Sequence, residues 1–323
     1  MTAARCIAIT GLETFEGRGL AERLLEDPSS PRIVALDVRL PSELEGRVGY
    51  HPLDLSEAEA GPRLAEVLEK EGCETVVHAA FLPRPTPDRE RAHELEVAGS
   101  LRVMGAVASA GVSKLVVIST AQVYGARADN PAYLSEEHPL RPPESARALR
   151  DRAQVESLLR MFSERHPQIA TLSLRPCWVV GPGYESAALC HLSAPRVRLP
   201  LGFDPLVQFL HEDDWLDALV LALRRNVRGA FNLAGRGTLP LSTLLRLAGR
   251  RVRKLPHPLL SPATSLRWRG RTGEPAAAFY AYLRHGWLVD TARARAELGF
   301  RPLYSTREAW LSRFVGQRLR KYA

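Results

Sequence analysis

Three stretches of this chain carry residue types and spacings that could hold or transform a ligand. The first is Thr10 to Gly17, which reads Thr-Gly-Leu-Glu-Thr-Phe-Glu-Gly. It follows a short apolar run, Arg5 to Thr10, and leads into a helical pattern, Leu20 to Glu26, with Leu20, Leu24 and Leu25 on one face. A glycine loop between strand and helix offers a phosphate backbone amides and the positive end of a helix dipole. Gly11, Thr14, Phe15 and Gly17 are the candidate contacts. The second is the apolar run Ile33 to Leu36, which ends at Asp37, 20 residues after Gly17. At that spacing a carboxylate reaches the hydroxyls of an adenosine ribose. It repels a 2′-phosphate and so argues for NAD, whereas Arg39, two residues on, would pair with that phosphate and admit NADP. The third is Ser119 to Tyr124, where a strand pattern gives way to hydroxyl side chains.

The elements that would position these residues recur along the first half. Strand patterns fall at Val48 to Leu53, Thr75 to His78, Leu115 to Ser119 and Ala170 to Leu174. Helical patterns separate them at Leu64 to Glu71, Arg91 to Ala110 and Leu149 to Arg165. Alternating strands and helices predict a parallel sheet covered on both faces, with its chemistry at the carboxyl ends of the strands. Gly11, Asp37, Asp54, His78 to Ala80 and Ser119 to Tyr124 all fall at such ends.

With 323 residues, 45% hydrophobic and 25% charged, the chain can bury a sizeable core, which excludes disorder and a disulfide miniprotein. No apolar run is long enough to span a bilayer, and Met1 to Thr10 lacks the pattern of a signal peptide. Cys6, Cys73, Cys177 and Cys190 show no metal-binding or redox spacing, so reduced thiols and a cytoplasmic location are expected. The net charge is +8, yet only Lys70, Lys114, Lys254 and Lys321 among the 44 basic residues are lysines.

The segments ITGLETFEG, VALD, HPLDL, VVHAA, ISTAQVYG, LRPCWVVGPG, VQFLHEDDWLDA, GAFNLAG and DTARARAELGF occur in this order. Together they resemble an extended short-chain dehydrogenase/reductase of the nucleotide-sugar epimerase and dehydratase branch, over nearly the whole chain. The resemblance implies an α/β fold: a Rossmann doubly wound parallel sheet with a smaller C-terminal α/β substrate lobe. It implies a dinucleotide domain over 1–176, to which 207–234 return, and a substrate lobe from 177–206 and 235–323. It implies NAD as cofactor, a nucleotide-sugar-like ligand and a homodimer paired through helices near Arg91 to Ala110 and Leu149 to Arg165. Asp54 and Leu55 would line the adenine pocket. Ala79 and Ala80 would lie beneath the cofactor, although close helix–strand packing calls for the same small residues.

The resemblance also marks departures. Thr14 replaces the middle glycine of the family loop; it adds bulk, and its hydroxyl could donate to a phosphate. Glu16 replaces an apolar residue, and its carboxylate repels a diphosphate unless it points away or pairs with an arginine. The family uses a Ser or Thr with a Tyr-x-x-x-Lys pair, placed on one helix face so that the lysine lowers the tyrosine pKa. None of the eight tyrosines here is followed four residues later by lysine, and no lysine lies between Lys114 and Lys254. Alignment on the flanking segments puts Ala148 at the tyrosine position, Arg152 at the lysine position and Thr120 at the hydroxyl position. Thr120 could orient a substrate or simply bond backbone. Tyr133 is the candidate substitute phenol, with Glu136, Glu137 and His138 in the same loop, which in such proteins runs past the active site. Asp151 should face elsewhere on the helix.

Beyond Gly181 to Gly183, Arg196 and Arg198 either reach the diphosphate of a nucleotide sugar, as the resemblance implies, or form a basic surface loop. By resemblance, His211, Asp213 and Asp214 are read as structural, an acid helix cap and a domain-crossing contact, and not as a metal site. Basic clusters at Gly249 to Lys254 and Arg267 to Arg271 raise nucleic-acid binding, but no recognised module accompanies them and arginine is enriched throughout. The last segment, AWLSRFVGQRLRKYA, reads as an amphipathic helix that packs on the lobe or on a partner chain.

Overall fold

A computed structural model describes residues 5–82, 86, 88–256, 260 and 276–319. The cluster Arg267 to Arg271 lies outside the described residues. The first half runs β1 (Cys6–Thr10), α1 (Phe15–Leu25), β2 (Arg32–Asp37), β3 (Gly49–Pro52), α2 (Ala60–Lys70) and β4 (Thr75–His78). It continues through α3 (Arg89–His93), a π turn (Glu94–Ala98), α4 (Gly99–Ser109), β5 (Lys114–Ile118), a 3-10 turn (Ala121–Tyr124), α5 (Arg147–Arg165) and β6 (Ala170–Pro176). The second half holds β7 (Trp178–Val180), α6 (Ala187–Leu192), β8 (Arg196–Pro200), β9 (Leu206–Val207), β10 (Phe209–His211) and α7 (Glu212–Arg224). Then come β11 (Gly229–Leu233), β12 (Leu239–Pro240), α8 (Leu241–Leu247), β13 (Arg251–Leu255), α9 (Ala276–Ala281) and α10 (Thr306–Leu319).

Seven strands form one parallel sheet in the order β11-β6-β5-β4-β1-β2-β3. The fold is a Rossmann doubly wound sheet with a smaller C-terminal α/β lobe. The order reverses beside β1, which opens a crevice at the carboxyl ends of β1 and β4. Every residue of β1, β4, β5 and β6 is buried, as expected of strands covered on both faces. Helices α1 and α7 pack together, and α4 packs on both α2 and α5. The lobe is held by small pairings: β7 with β10, β9 with β12 and β8 with β13.

Two local features place the site. Gly11 has φ +81°, and a Cβ there would lie 2.3 Å from the Ala79 carbonyl carbon, so the turn after β1 rests on the turn after β4. A Cβ on Gly17 would lie 2.2 Å from the Gly11 oxygen, so the first turn of α1 rests on the same loop. The predicted helix Arg91 to Ala110 is interrupted by the π turn, a feature that often marks functional sites and that here carries the buried Glu96.

Candidate functional site

Two cavities open along the carboxyl ends of the strands. The larger, about 690 Å³, is lined by Gly11, Asp37, Asp54, Leu55 and Ala80 among others. The smaller, about 280 Å³, is lined by Phe15, Glu16, Ala79, Thr120, Ala148 and Arg152 among others. Thr14, Phe81 and Leu82 border both and mark where one meets the other.

At the larger cavity the Asp37 carboxylate accepts the amides of Glu13 at 3.2 Å and Val38 at 2.7 Å. Burial raises its pKa and these amides oppose the rise. Asp54 is partly desolvated, but the hydroxyl and amide of Ser56, at 2.6 and 2.9 Å, hold its carboxyl below the usual value. Arg39 is exposed. At the junction, Thr14 caps α1. Its hydroxyl donates to the Gly11 carbonyl at 2.6 Å and accepts the Gly17 amide at 3.0 Å. Its one proton is therefore committed inside the loop, which corrects the expectation that it donates to a phosphate.

The smaller cavity has a charged floor. The Glu16 carboxylate takes a hydrogen bond from its own amide and, at 3.4 Å each, from the Tyr184 hydroxyl and the Trp215 indole. Burial raises the Glu16 pKa, and these bonds with the Arg152 charge offset part of the rise. Burial, then the Glu16 charge, holds Tyr184 well above the ordinary phenol. Arg152 projects from α5 one turn after Ala148. Its Nη1 donates to the Ile118 carbonyl at 2.8 Å, its Nη2 lies 3.9 Å from Glu96, and its guanidinium covers the Phe81 ring at 3.5 Å. Glu96 accepts the Leu82 amide at 3.1 Å. The Arg152 Nε and the Trp178 Nε1 are buried donors without a hydrogen-bond partner among the described residues, and both residues line this cavity.

Beneath the cavities, His78 bridges Thr10 at 2.8 Å and Ser100 at 2.9 Å. The Ser100 proton goes to the Glu96 carbonyl, so His78 Nε2 carries the hydrogen and Nδ1 accepts from Thr10. Burial, then Arg152, pushes the His78 pKa down to about 3, so the ring is neutral and braces two elements. A second brace fixes Tyr184. Glu212, at the start of α7, accepts the amides of Gly183 at 3.0 Å and Tyr184 at 2.6 Å. Arg313 of α10 donates to the carbonyls of Gly181 at 3.1 Å and Tyr184 at 2.6 Å.

The profile of the NAD dependent epimerase/dehydratase family matches residues 7–234. An uncharacterised protein of Mycobacterium tuberculosis is 32% identical over 98% of this chain and 85% of its own length. The chain belongs to the NAD-dependent epimerase/dehydratase family. The protein YbjS of Escherichia coli, also uncharacterised, is 26% identical over 94% of this chain and 97% of its own. Among solved structures, UDP-glucose 4-epimerase of Thermotoga maritima, with UDP-glucose, has a TM-score of 0.73 at 17% identity, covering 98% of this chain and 99% of its own. MoeE5, in complex with UDP-glucuronic acid and NAD, scores 0.73 at 23% identity, covering 97% and 99%. The dTDP-glucose 4,6-dehydratase of Bacillus anthracis, in complex with NAD, scores 0.75 at 14%, covering 99% and 98%. At these identities the solved structures establish the shared fold.

Against the family pattern, the groove gathers Thr120, Ala148 and Arg152 at one cavity and Asp37, Asp54 and Leu55 at the other. Thr120 accepts the Gln122 amide at 3.3 Å and so caps the 3-10 turn while bordering the cavity. Tyr133 is not brought there: it is 51% exposed and borders neither cavity. Glu136, Glu137 and His138 line neither cavity; Glu136 instead accepts the Asn232 amide at 2.9 Å. Tyr124 is buried between Arg175 and Asn232, at 2.6 and 2.8 Å, with its pKa pushed up to about 12 mainly by burial. Asp151 faces His93 at 3.1 Å and away from the cavities. Arg196 and Arg198 are exposed on β8 and line neither cavity. The cap of α7 is the His211 imidazole, which accepts the Asp213 amide at 3.2 Å, and not an acid. Asp214 crosses to the amides of Leu303 and Tyr304 at 2.7 and 3.1 Å. No cluster of metal-ligating side chains occurs among the described residues. Sequence reasoning missed Tyr184 as a lining residue, although it directly follows the Gly181 to Gly183 turn.

Proposed function

We propose that this chain binds NAD along the two cavities and does not perform the tyrosine-dependent proton transfer of the family. The reading is supported by the two adjoining cavities, one lined by the Asp37 carboxylate and the other by Ala148, which presents only a methyl group. The donor set fits the cofactor at its adenosine end: Asp37 would accept the ribose hydroxyls, and Asp54 and Leu55 would flank the base. The approach of Gly11 to Ala79 leaves no room for a side chain, as a loop that cradles a diphosphate requires. When bound, NAD supplies a hydride acceptor. Arg152 would hold positive charge beside the nicotinamide ribose in place of lysine, while Ala148 can move no proton. The partnerless Trp178 Nε1 and Arg152 Nε suit a ligand with oxygen acceptors, such as a nucleotide sugar. Exposed Leu101 on α4 and Met161 on α5 support a homodimer through those helices, which light scattering of Leu101→Glu would test.

The test is to denature purified protein, assay the released small molecules for NAD and NADP, and titrate stripped protein with NAD by calorimetry. NAD binding without turnover of UDP-sugars is expected. Turnover would overturn the inactive half of the proposal, and absence of binding would overturn the cofactor half. One observation favours an active reading: Tyr184 and Glu16 both line the smaller cavity and are bonded to each other. In that case Tyr184→Phe abolishes the turnover.

A further inference from the structure

The fold joins two basic stretches that lie far apart in sequence. Strands β8 and β13 pair in parallel, with Arg196 opposite Arg251 and Arg198 opposite Arg253. Residues two apart on a strand share a face, so all four arginines stand on one face of the ribbon. The spacing is about 5 Å across the strands and about 7 Å along them. All four are exposed, and none makes a side-chain hydrogen bond or ion pair with a described residue. Val197, on the opposite face, is fully buried. Like charges placed directly opposite one another destabilise a strand pair, so the fold gains nothing from this arrangement.

General arginine enrichment does not explain it. Residues 218–273 contain 12 basic residues and no acid, in a chain with 36 acids in 323 residues. Residues 186–203, which include β8, also contain no acid. Exposed leucines flank the ribbon at its ends. Leu201, 55% exposed, directly follows β8, and its amide donates to the Leu255 carbonyl at the end of β13. Leu247, 44% exposed, ends α8 four residues before β13.

We infer that the β8–β13 ribbon docks the protein on an anionic lipid surface. A nucleic-acid backbone rewards only the cations. A bilayer interface rewards cations through its anionic headgroups and apolar side chains through its acyl boundary, and stable peripheral attachment takes two such signals. This contact is peripheral: no helix among the described residues is long and apolar enough to cross a membrane.

The experiment is co-sedimentation of the full chain with phosphatidylcholine vesicles, with and without phosphatidylglycerol, and with duplex DNA as a separate probe. Binding to the phosphatidylglycerol vesicles alone, weakening with salt, is expected. Arg251→Glu with Arg253→Glu lowers the bound fraction about tenfold or more, since each site loses a cation and gains an acid. Leu201→Ser weakens binding without changing its salt dependence. Because these side chains are exposed, the circular dichroism spectrum of each variant should match that of the parent. Binding to DNA but not to vesicles would overturn the lipid assignment, and binding to neither would overturn the docking role.

Discussion

The guanidinium carbon of Arg152 lies 3.5 Å from the centroid of the Phe81 ring. Stacking of this kind depends on a planar cation, and Nη1 is at the same time tied to the Ile118 carbonyl at 2.8 Å. A lysine has the charge but not the plane. Arg152→Lys should therefore lower stability by about 1–2 kcal/mol. Arg152→Met, which leaves the buried Glu96 and the partly buried Glu16 without their cation, should cost about 3 kcal/mol. Urea denaturation of both variants checks the order, and an Arg152→Lys chain as stable as the parent would refute the stacking argument.

Glu16 predicts a pH dependence. Burial raises its pKa in the fold, so the folded chain holds this proton to higher pH than the unfolded chain does. Its contribution to stability is therefore complete below the ordinary carboxyl value and is lost as the pH rises through the raised one. Glu16→Gln, which cannot ionise, should melt higher than the parent at about pH 8 and alike at about pH 4. A parent that is more stable at the higher pH would mean that Arg152 compensates the carboxylate fully.

Asp37 tests cofactor recognition. Its carboxylate binds amides of the two adjoining loops, Glu13 and Val38, at the cavity rim. Asp37→Ala should weaken NAD binding by about 10–100-fold, the worth of a hydrogen bond to a charged group. It should narrow the preference over NADP, since the repulsion of a 2′-phosphate is gone. Calorimetric titration with both nucleotides measures the two effects.

Two glycines make a contrasting pair. At Gly17 an added Cβ would lie 2.2 Å from the Gly11 oxygen and 2.8 Å from its carbonyl carbon, both backbone atoms that cannot give way. Gly17→Ala should cost about 3 kcal/mol or more and disturb the loop. At Gly105, inside α4, nothing lies within 4 Å of the added atom. Gly105→Ala should gain about 0.5–1 kcal/mol from helix propensity alone. Thermal melts that rank the two the other way would contradict the packing of the loop.

The sheet was legible because each strand is a short apolar run and the runs alternate with helical periodicity; Thr75 to His78 was placed to the residue. So were the positions of Gly11, Gly17 and Asp37 at the strand and helix ends, which local pattern fixes. The charged floor was not legible. Glu16 meets Tyr184 168 residues away and Trp215 199 residues away, and nothing local to Glu16 specifies either partner. Tyr133 was a fair candidate by its place in the chain, but the direction of a loop side chain is set by packing that the sequence does not display. The pairing of Arg196 with Arg251 was hidden for the same reason: each strand showed its own basic residues, and only the register between strands put them opposite one another.

Strand β11 closes the sheet against β6, yet residues 177–228 are made between the two. During synthesis β6 must emerge with one hydrogen-bonding edge bare, and it stays so until Leu233 clears the ribosome. At ordinary translation speed that interval is about 3–10 s. The nascent chain thus passes through a window in which an apolar parallel strand is open to pairing with a neighbour, and the yield of folded protein depends on how that interval is shielded.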